Sequence, residues 1–201
     1  MATSGSCEEN DVLVAAALWL VARGFQIKRL SPAGGKGIDS DESKSQIASA
    51  FEREGLHLSP NEFVRDGADI VAQSDSELWQ VECKGYQNGN TTQTHRNNFD
   101  RALASVVSYY IENQSDLSVP RRRKSREELL VELRHLDDVP TQAHQRTCYL
   151  ALSLPATEDY VRELRRRVCK PLRRCLKLWI LLYDPPTKTI QPVSPEEDYP
   201  A

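Results

Sequence analysis

The sequence predicts a single α/β domain. Residues 69–81 hold two short apolar segments joined by a polar turn, the composition of a β-hairpin. Residues 95–112 carry apolar side chains at helical spacing, and residues 176–183 form a strongly apolar run typical of an interior strand. Strands and helices mixed along the chain in this way indicate the α/β class.

The length and composition suit one domain with a sizeable core. The chain has 201 residues, of which 39% are hydrophobic and 27% are charged. We expect the domain to span residues 8–193, after a disordered start at 1–7 and before a loose acidic tail at 194–201. Residues 118–145 open with a basic run, and we interpret them as a helical insertion.

The first part of the domain is predicted to hold two helices and a strand. Residues 11–23 are largely apolar and end at Gly24, which is typical of a buried helix. A strand follows at 25–30, and a second helix is predicted at 41–54. The hairpin comes next in the chain.

The second part continues after the long helix and the insertion. A strand is predicted at 147–154, followed by a helix capped by Thr157. Pro171 should end or kink that helix. The apolar strand at 176–183 comes next, and a short final strand is predicted at 189–193.

Acidic side chains face each other at one end of the hairpin. A turn centred on residues 75–76 places Asp69 directly opposite Glu82, with Cβ atoms roughly 5 Å apart. Like charges in that position destabilise a sheet, so the pair needs a compensating cation. A divalent metal would be one, and Lys84 would be another.

This group of side chains has the chemistry needed for phosphodiester hydrolysis. Mg²⁺ prefers oxygen ligands, and Asp69, Glu82 and the carbonyl of Cys83 would supply them. The metal can lower the pKa of a bound water and offset the charge that develops on a phosphate. The ammonium group of Lys84 can orient that water or stabilise the same charge.

The spacing of these residues resembles the PD-(D/E)xK nuclease superfamily. Asp69 is followed by a gap of twelve residues and then by Glu82-Cys83-Lys84, within "GADIVA" and "WQVECKG". Ala68 stands where the name of the superfamily has proline.

The resemblance implies a restriction-endonuclease-like α-β-β-β-α-β core over roughly residues 8–183, with a central mixed sheet flanked by helices. It implies DNA cleavage dependent on Mg²⁺ or Mn²⁺, with Asp69, Glu82 and Lys84 catalytic. Asp69, Glu82 and Cys83 would hold the metal.

Many members of that superfamily add an acidic residue from the first helix to the metal site. Four residues are candidates here, the last of them if the second helix plays this part: Glu8, Glu9, Asp11 and Glu52. Acidic residues at a helix start are equally expected as partners of the helix dipole.

The charge is unevenly distributed along the chain. The net charge is -3, yet residues 121–177 hold 15 Lys and Arg against 8 Asp and Glu, a local balance of +7. A basic region can follow a phosphate backbone, although arginine-rich helices are also compatible with solvated faces. The candidate nucleic-acid-binding residues are Arg96, Arg101, Arg162 and Arg166. Tyr109 and Tyr110 are candidates for stacking on bases, although Tyr110 lies on the apolar stripe of its helix, a position typical of the core.

Three other interpretations of the hairpin stay open. It could carry an ordinary surface salt-bridge patch, or belong to a binding module without turnover. It could also belong to a subunit that is silent until a protein partner or activator arrives.

Because many relatives dimerise to cut two strands, the resemblance also implies a homodimer.

Composition also bears on location. The longest apolar run, residues 12–22, is too short to span a bilayer, so no membrane association is expected. The five cysteines are odd in number and form no CxxC pair, which favours reduced thiols in a cytoplasm.

Overall fold

The protein has the α/β class that the sequence predicts. In the part of the chain that the structure describes, six strands form one mixed sheet and helices pack on both faces. The computed structural model describes residues 6–32, 41–58, 63, 67–114 and 146–200. The insertion predicted at 118–145 and the first five residues lie outside this part of the chain.

The strands lie side by side in chain order. They are β1 Gln26–Leu30, β2 Ile70–Gln73, β3 Glu77–Cys83, β4 Thr147–Pro155, β5 Leu178–Asp184 and β6 Thr189–Val193. β3, β4 and β5 run parallel to one another, and the other neighbouring pairs are antiparallel. The carboxyl ends of the three parallel strands therefore meet at one edge, where α/β proteins commonly place their sites.

The helices divide between the two faces of the sheet. They are α1 Glu9–Val21, α2 Asp41–Arg53, α3 Thr92–Gln114, α4 Glu158–Arg167 and α5 Lys170–Leu176. Buried side chains of α1 and α2 pack on one face, and those of α3, α4 and α5 pack on the other. None of the helices in the described part of the chain is long and apolar enough to cross a membrane.

The hairpin has the predicted register. Val71 pairs with Gln80, and the backbone amide of Ser74 donates a hydrogen bond to the carbonyl of Glu77 across the turn, 2.9 Å. Trp79 and Val81 face the α1 side and are buried there with other apolar side chains. The alternation that this register requires therefore turns Glu82 toward the opposite side, beneath α3.

The helix after Thr157 ends sooner than the proline predicts. α4 ends at Arg167, and Pro171 instead lies in the first turn of α5, where a missing backbone amide is tolerated. Leu176 was expected in a strand but is the last residue of α5, because Lys177 adopts a left-handed conformation, φ 49°, that ends the helix.

Both ends of the described chain differ from the expectation of disordered or loose segments. Cys7 is buried and exchanges two backbone hydrogen bonds with Tyr86, 2.8 and 2.9 Å. At the other end, the buried guanidinium of Arg173 donates to the carbonyls of Ser194 and Glu197, 2.7 and 2.5 Å. Burial of that charge requires such partners, so the acidic tail is held against α5.

Replacing Arg173 with methionine is expected to release residues 194–200. Hydrogen bonds from a charged donor contribute about 1.5–3 kcal/mol each, so we expect a loss of roughly 3 kcal/mol in the free energy of unfolding. Arg174→Met is the matched control, because its exposed pair with Glu196 contributes about 1 kcal/mol or less. Urea unfolding and carboxypeptidase digestion would measure both effects, and equal behaviour of the two variants would contradict the role of Arg173.

Candidate active site

The predicted site residues converge at the carboxyl end of β3. Asp69 directly precedes β2, Glu82 and Cys83 end β3, and Lys84 follows at once. The strand ends beside β4, where Cys83 pairs with Ser153. The site thus lies at the edge where the parallel strands end.

Asp69 is fixed by the backbone of the facing strand. Its Oδ2 accepts a hydrogen bond from the backbone amide of Cys83, 2.7 Å, and 14% of its side chain is exposed. Burial, and then the negative charge of Glu82, raise the pKa of Asp69 to about 8. The carboxyl group is therefore largely protonated near neutral pH when only Lys84 compensates it.

The ammonium group of Lys84 occupies the centre of the site. Its Nζ lies 2.5 Å from the carbonyl oxygen of Cys83, 3.0 Å from Oε1 of Glu82 and 3.9 Å from Oδ2 of Asp69. Burial lowers the pKa of Lys84, but the surrounding carboxylates, Asp69 first, raise it well above its usual range. Lys84 is therefore a permanent cation in this arrangement.

A third carboxylate comes from the start of α1. Oε1 of Glu9 lies 3.4 Å from the Nζ of Lys84. Of the four acidic residues considered from the sequence, Glu9 is the one that contacts the cluster. Asp11 instead accepts the backbone amide of Glu8 at the helix start, 3.1 Å, and Glu52 is exposed on α2.

The approach of α1 to the site depends on a glycine. A Cβ atom at Gly85 would lie 2.6 Å from the backbone nitrogen of Glu9, closer than real Cβ contacts. The carbonyl of Gly85 also accepts the hydroxyl of Tyr160, 2.9 Å. Gly85 therefore allows the first turn of α1 to lie against the end of β3, which brings Glu9 to Lys84.

Tyr109 of α3 is a site contact that the sequence analysis missed. Its hydroxyl donates to Oε2 of Glu82, 2.8 Å, and 7% of the residue is exposed. Because Tyr109 is buried, its ring is not exposed for stacking on bases in this structure. The sequence signal is helical spacing: Tyr109 shares a buried stripe of α3 with Phe99, Ala102 and Val106.

The oxygen atoms of the cluster suit a hard divalent cation. Three carboxylates and one backbone carbonyl surround a single ammonium group, so negative charge is in excess when all groups ionise. The negative charges of Glu82 and Glu9 also contribute to the raised pKa of Asp69. Among the described residues, no three His, Cys, Asp or Glu side chains are arranged to hold a metal by themselves. The oxygens available to a cation are those that surround the ammonium group of Lys84.

The cluster is not an exposed salt-bridge patch. The exposed fractions of the side chains are 9% for Glu82, 16% for Lys84 and 27% for Glu9. Removing charged groups from water is unfavourable, and an ordinary surface ion pair does not incur this cost. Burial therefore separates this cluster from the surface patch considered in the sequence analysis.

The four arginines predicted to bind nucleic acid fall into two groups. Arg96 pairs with the buried Glu163, 3.2 Å, and Arg162 pairs with Asp159 on its own helix. Arg101 and Arg166 are exposed, and their side chains form no ion pair with any residue that the structure describes. Within the described part of the chain, these two guanidinium groups, on α3 and α4 respectively, are the candidates without an ionic partner.

Comparison of the chain with protein-family models, curated proteins and solved structures finds no match. The likeness to the PD-(D/E)xK superfamily therefore rests on the residues Asp69, Glu82 and Lys84 and on the order of the elements around them. What it implies about the core and the activity is a proposal.

Proposed function

We propose that the protein is a metal-dependent nuclease that hydrolyses DNA phosphodiester bonds. One observation carries the proposal: Asp69, Glu82, Glu9 and the carbonyl of Cys83 all direct oxygen atoms at one cationic position. That position lies at the carboxyl end of parallel strands, as expected for a site in an α/β sheet.

The residues fit Mg²⁺ or Mn²⁺ by the chemistry of their donor atoms. Asp69, Glu82 and the Cys83 carbonyl would hold the ion, with Glu9 as a further carboxylate. When bound, such an ion supplies Lewis acidity toward a phosphate oxygen and lowers the pKa of a water. Its positive charge would also favour the ionised form of Asp69.

The chain's own cation acts on the reacting phosphate. Hydrolysis adds the oxygen of a water to phosphorus and breaks the bond to one ester oxygen, so negative charge builds on the phosphoryl oxygens. In the metal-free cluster the surrounding carboxylates raise the pKa of Lys84, so its ammonium group is a positive charge and a hydrogen-bond donor at the site. It would position or activate the water, or stabilise that charge.

The preference for DNA comes from the resemblance, and the exposed Arg101 and Arg166 supply positive charge for a backbone. A partner-activated or silent subunit is the second candidate. It is favoured by one observation, namely that Arg96 and Arg162 are already paired within the chain and so add little free positive charge.

The proposal is tested by cleavage of supercoiled plasmid and of single-stranded DNA in Mg²⁺, Mn²⁺ or EDTA. We expect cutting only with metal, and a loss of about 10²-fold or more in Glu82→Gln, because a metal ligand is weakened. Glu77→Gln, at the opposite end of β3, should cut like the wild type. Folded protein that cuts neither substrate with either metal would refute the proposal of an autonomous nuclease and favour the second candidate.

A further inference from the structure

A buried hydroxyl holds one oxygen of the Glu82 carboxylate. Tyr109 lies on α3, 27 residues beyond Glu82, and donates to Oε2 over 2.8 Å. Both residues are buried, at 7% exposure each. A hydrogen bond to a buried charged acceptor is stronger than one between neutral groups, so this contact restrains the carboxylate.

The two oxygens of Glu82 have separate partners. Oε2 accepts the hydroxyl of Tyr109, and Oε1 lies 3.0 Å from the Nζ of Lys84. Oε1 therefore faces the cationic position that the other site oxygens surround. Tilting the carboxylate out of its observed plane would break the bond to Tyr109, so the hydroxyl holds the plane in which the other oxygen faces the site.

We propose that Tyr109 is a positioning residue, which orients Glu82 so that Oε1 is directed at a divalent cation. This inference rests on the proposed function. Hydrogen bonds to metal-ligating carboxylates commonly set metal affinity, and losing one weakens binding or activity by about 10–100-fold. Tyr109 touches neither substrate nor metal in this role and acts through Glu82.

The ring and the hydroxyl of Tyr109 have separable roles. The ring packs in the apolar cluster between α3 and the sheet, with Phe99 and Val106 among its members. A buried tyrosine also needs a partner for its hydroxyl, which by itself accounts for a stabilising contact. A purely structural role predicts a lower melting temperature of Tyr109→Phe without a change in its affinity for metal. The positioning role predicts a change in that affinity.

The test compares Tyr109→Phe with Tyr110→Phe in the full-length chain. Tyr110 is the next residue, is partly buried and has a hydrogen-bond partner in Cys175, away from Glu82. Thermal unfolding at increasing Mg²⁺ concentrations, without DNA, gives the Mg²⁺ concentration that half-saturates each protein. We expect this concentration to rise about 10–100-fold in Tyr109→Phe and to stay within about twofold in Tyr110→Phe. Saturating Mg²⁺ should restore most plasmid cleavage to Tyr109→Phe.

The outcomes separate this inference from the proposed function. Wild-type protein that binds Mg²⁺ and cuts DNA, beside a Tyr109→Phe variant with unchanged Mg²⁺ affinity, would overturn the positioning role alone. A wild type that neither gains stability with Mg²⁺ nor cuts DNA would overturn both. A parallel loss of affinity in Tyr110→Phe would assign the effect to the packing of α3 and also reject the positioning role.

Discussion

Lys84→Ala should lower metal-dependent DNA cleavage by about 10²–10³-fold while Mg²⁺ binding is retained or strengthened. The loss has the size found when one donor to a developing negative charge is removed. Binding persists because the oxygens of Asp69, Glu82 and the Cys83 carbonyl stay in place. It strengthens because the cation no longer competes with the ammonium group for the same oxygens.

The same substitution should destabilise the metal-free protein. Lys84 is the counter-ion of Glu82 and Glu9, its Nζ lies 3.9 Å from Oδ2 of Asp69, and 16% of its side chain is exposed. Removing one partner of a buried ion pair costs about 3–5 kcal/mol, so we expect a drop of this order in the free energy of unfolding. Mg²⁺ should recover more stability in Lys84→Ala than in the wild type, because it then supplies the missing positive charge.

Plasmid cleavage and thermal unfolding with and without Mg²⁺ would measure both effects. Lys28→Ala is a matched control, since Lys28 is an exposed residue of β1, a strand at the edge of the sheet. A Lys84→Ala variant that cuts like the wild type would remove Lys84 from the mechanism. A variant that no longer responds to Mg²⁺ would show that the ammonium group is needed to assemble the site.

The sequence predicts correctly the register of the hairpin that carries the candidate site, because local geometry sets it. Alternation along a strand and a short turn determine that Asp69 faces Glu82, and the register of β2 and β3 agrees. The contacts of Glu9 and Tyr109 depend on how α1 and α3 pack against the sheet. Neither contact can be calculated from spacing within one element, although a choice among three neighbouring acids already included Glu9.

Charge patterning was a weaker guide than strand geometry. The basic region suggested a surface for phosphates, but several of its side chains pair within the fold, such as Arg162 with Asp159. Arg173 is buried and donates a hydrogen bond to the carbonyl of Ser194. A composition count nevertheless treats its charge as free. A basic sequence therefore predicts a basic surface only after the internal partners are known. Of the four candidate arginines, Arg101 and Arg166 are exposed and form no ion pair with a residue that the structure describes.

The second large effect concerns the pH dependence of stability through Asp69. In the metal-free fold the pKa of Asp69 is about 8, while the pKa of an aspartate in an unfolded chain is about 3.9. Between these values the folded protein keeps a proton that the unfolded chain has lost. The contribution of this proton to stability is therefore complete at acidic pH and is lost as the pH rises toward 8.

Asp69→Asn should remove this dependence. Asparagine keeps an oxygen that can accept the amide of Cys83 but does not ionise beside Glu82 and Glu9. From pH 6 to 9 the wild type should lose about 1–3 kcal/mol relative to the variant, since each pKa unit corresponds to about 1.4 kcal/mol. Asp75→Asn, exposed in the turn of the same hairpin, should follow the wild type.

Mg²⁺ should reverse the order of stability in this comparison. Metal binding requires the ionised carboxylate. The affinity of the wild type for Mg²⁺ should therefore increase by about 10-fold or more when the pH rises from 6.5 to 8.5. Asp69→Asn should show little stabilisation by Mg²⁺ at either pH. Urea unfolding across this range, with Mg²⁺ or EDTA, measures both effects. If Asp69→Asn kept the pH-dependent gain from Mg²⁺, another carboxylate would have to supply it, and Asp69 would not be a metal ligand.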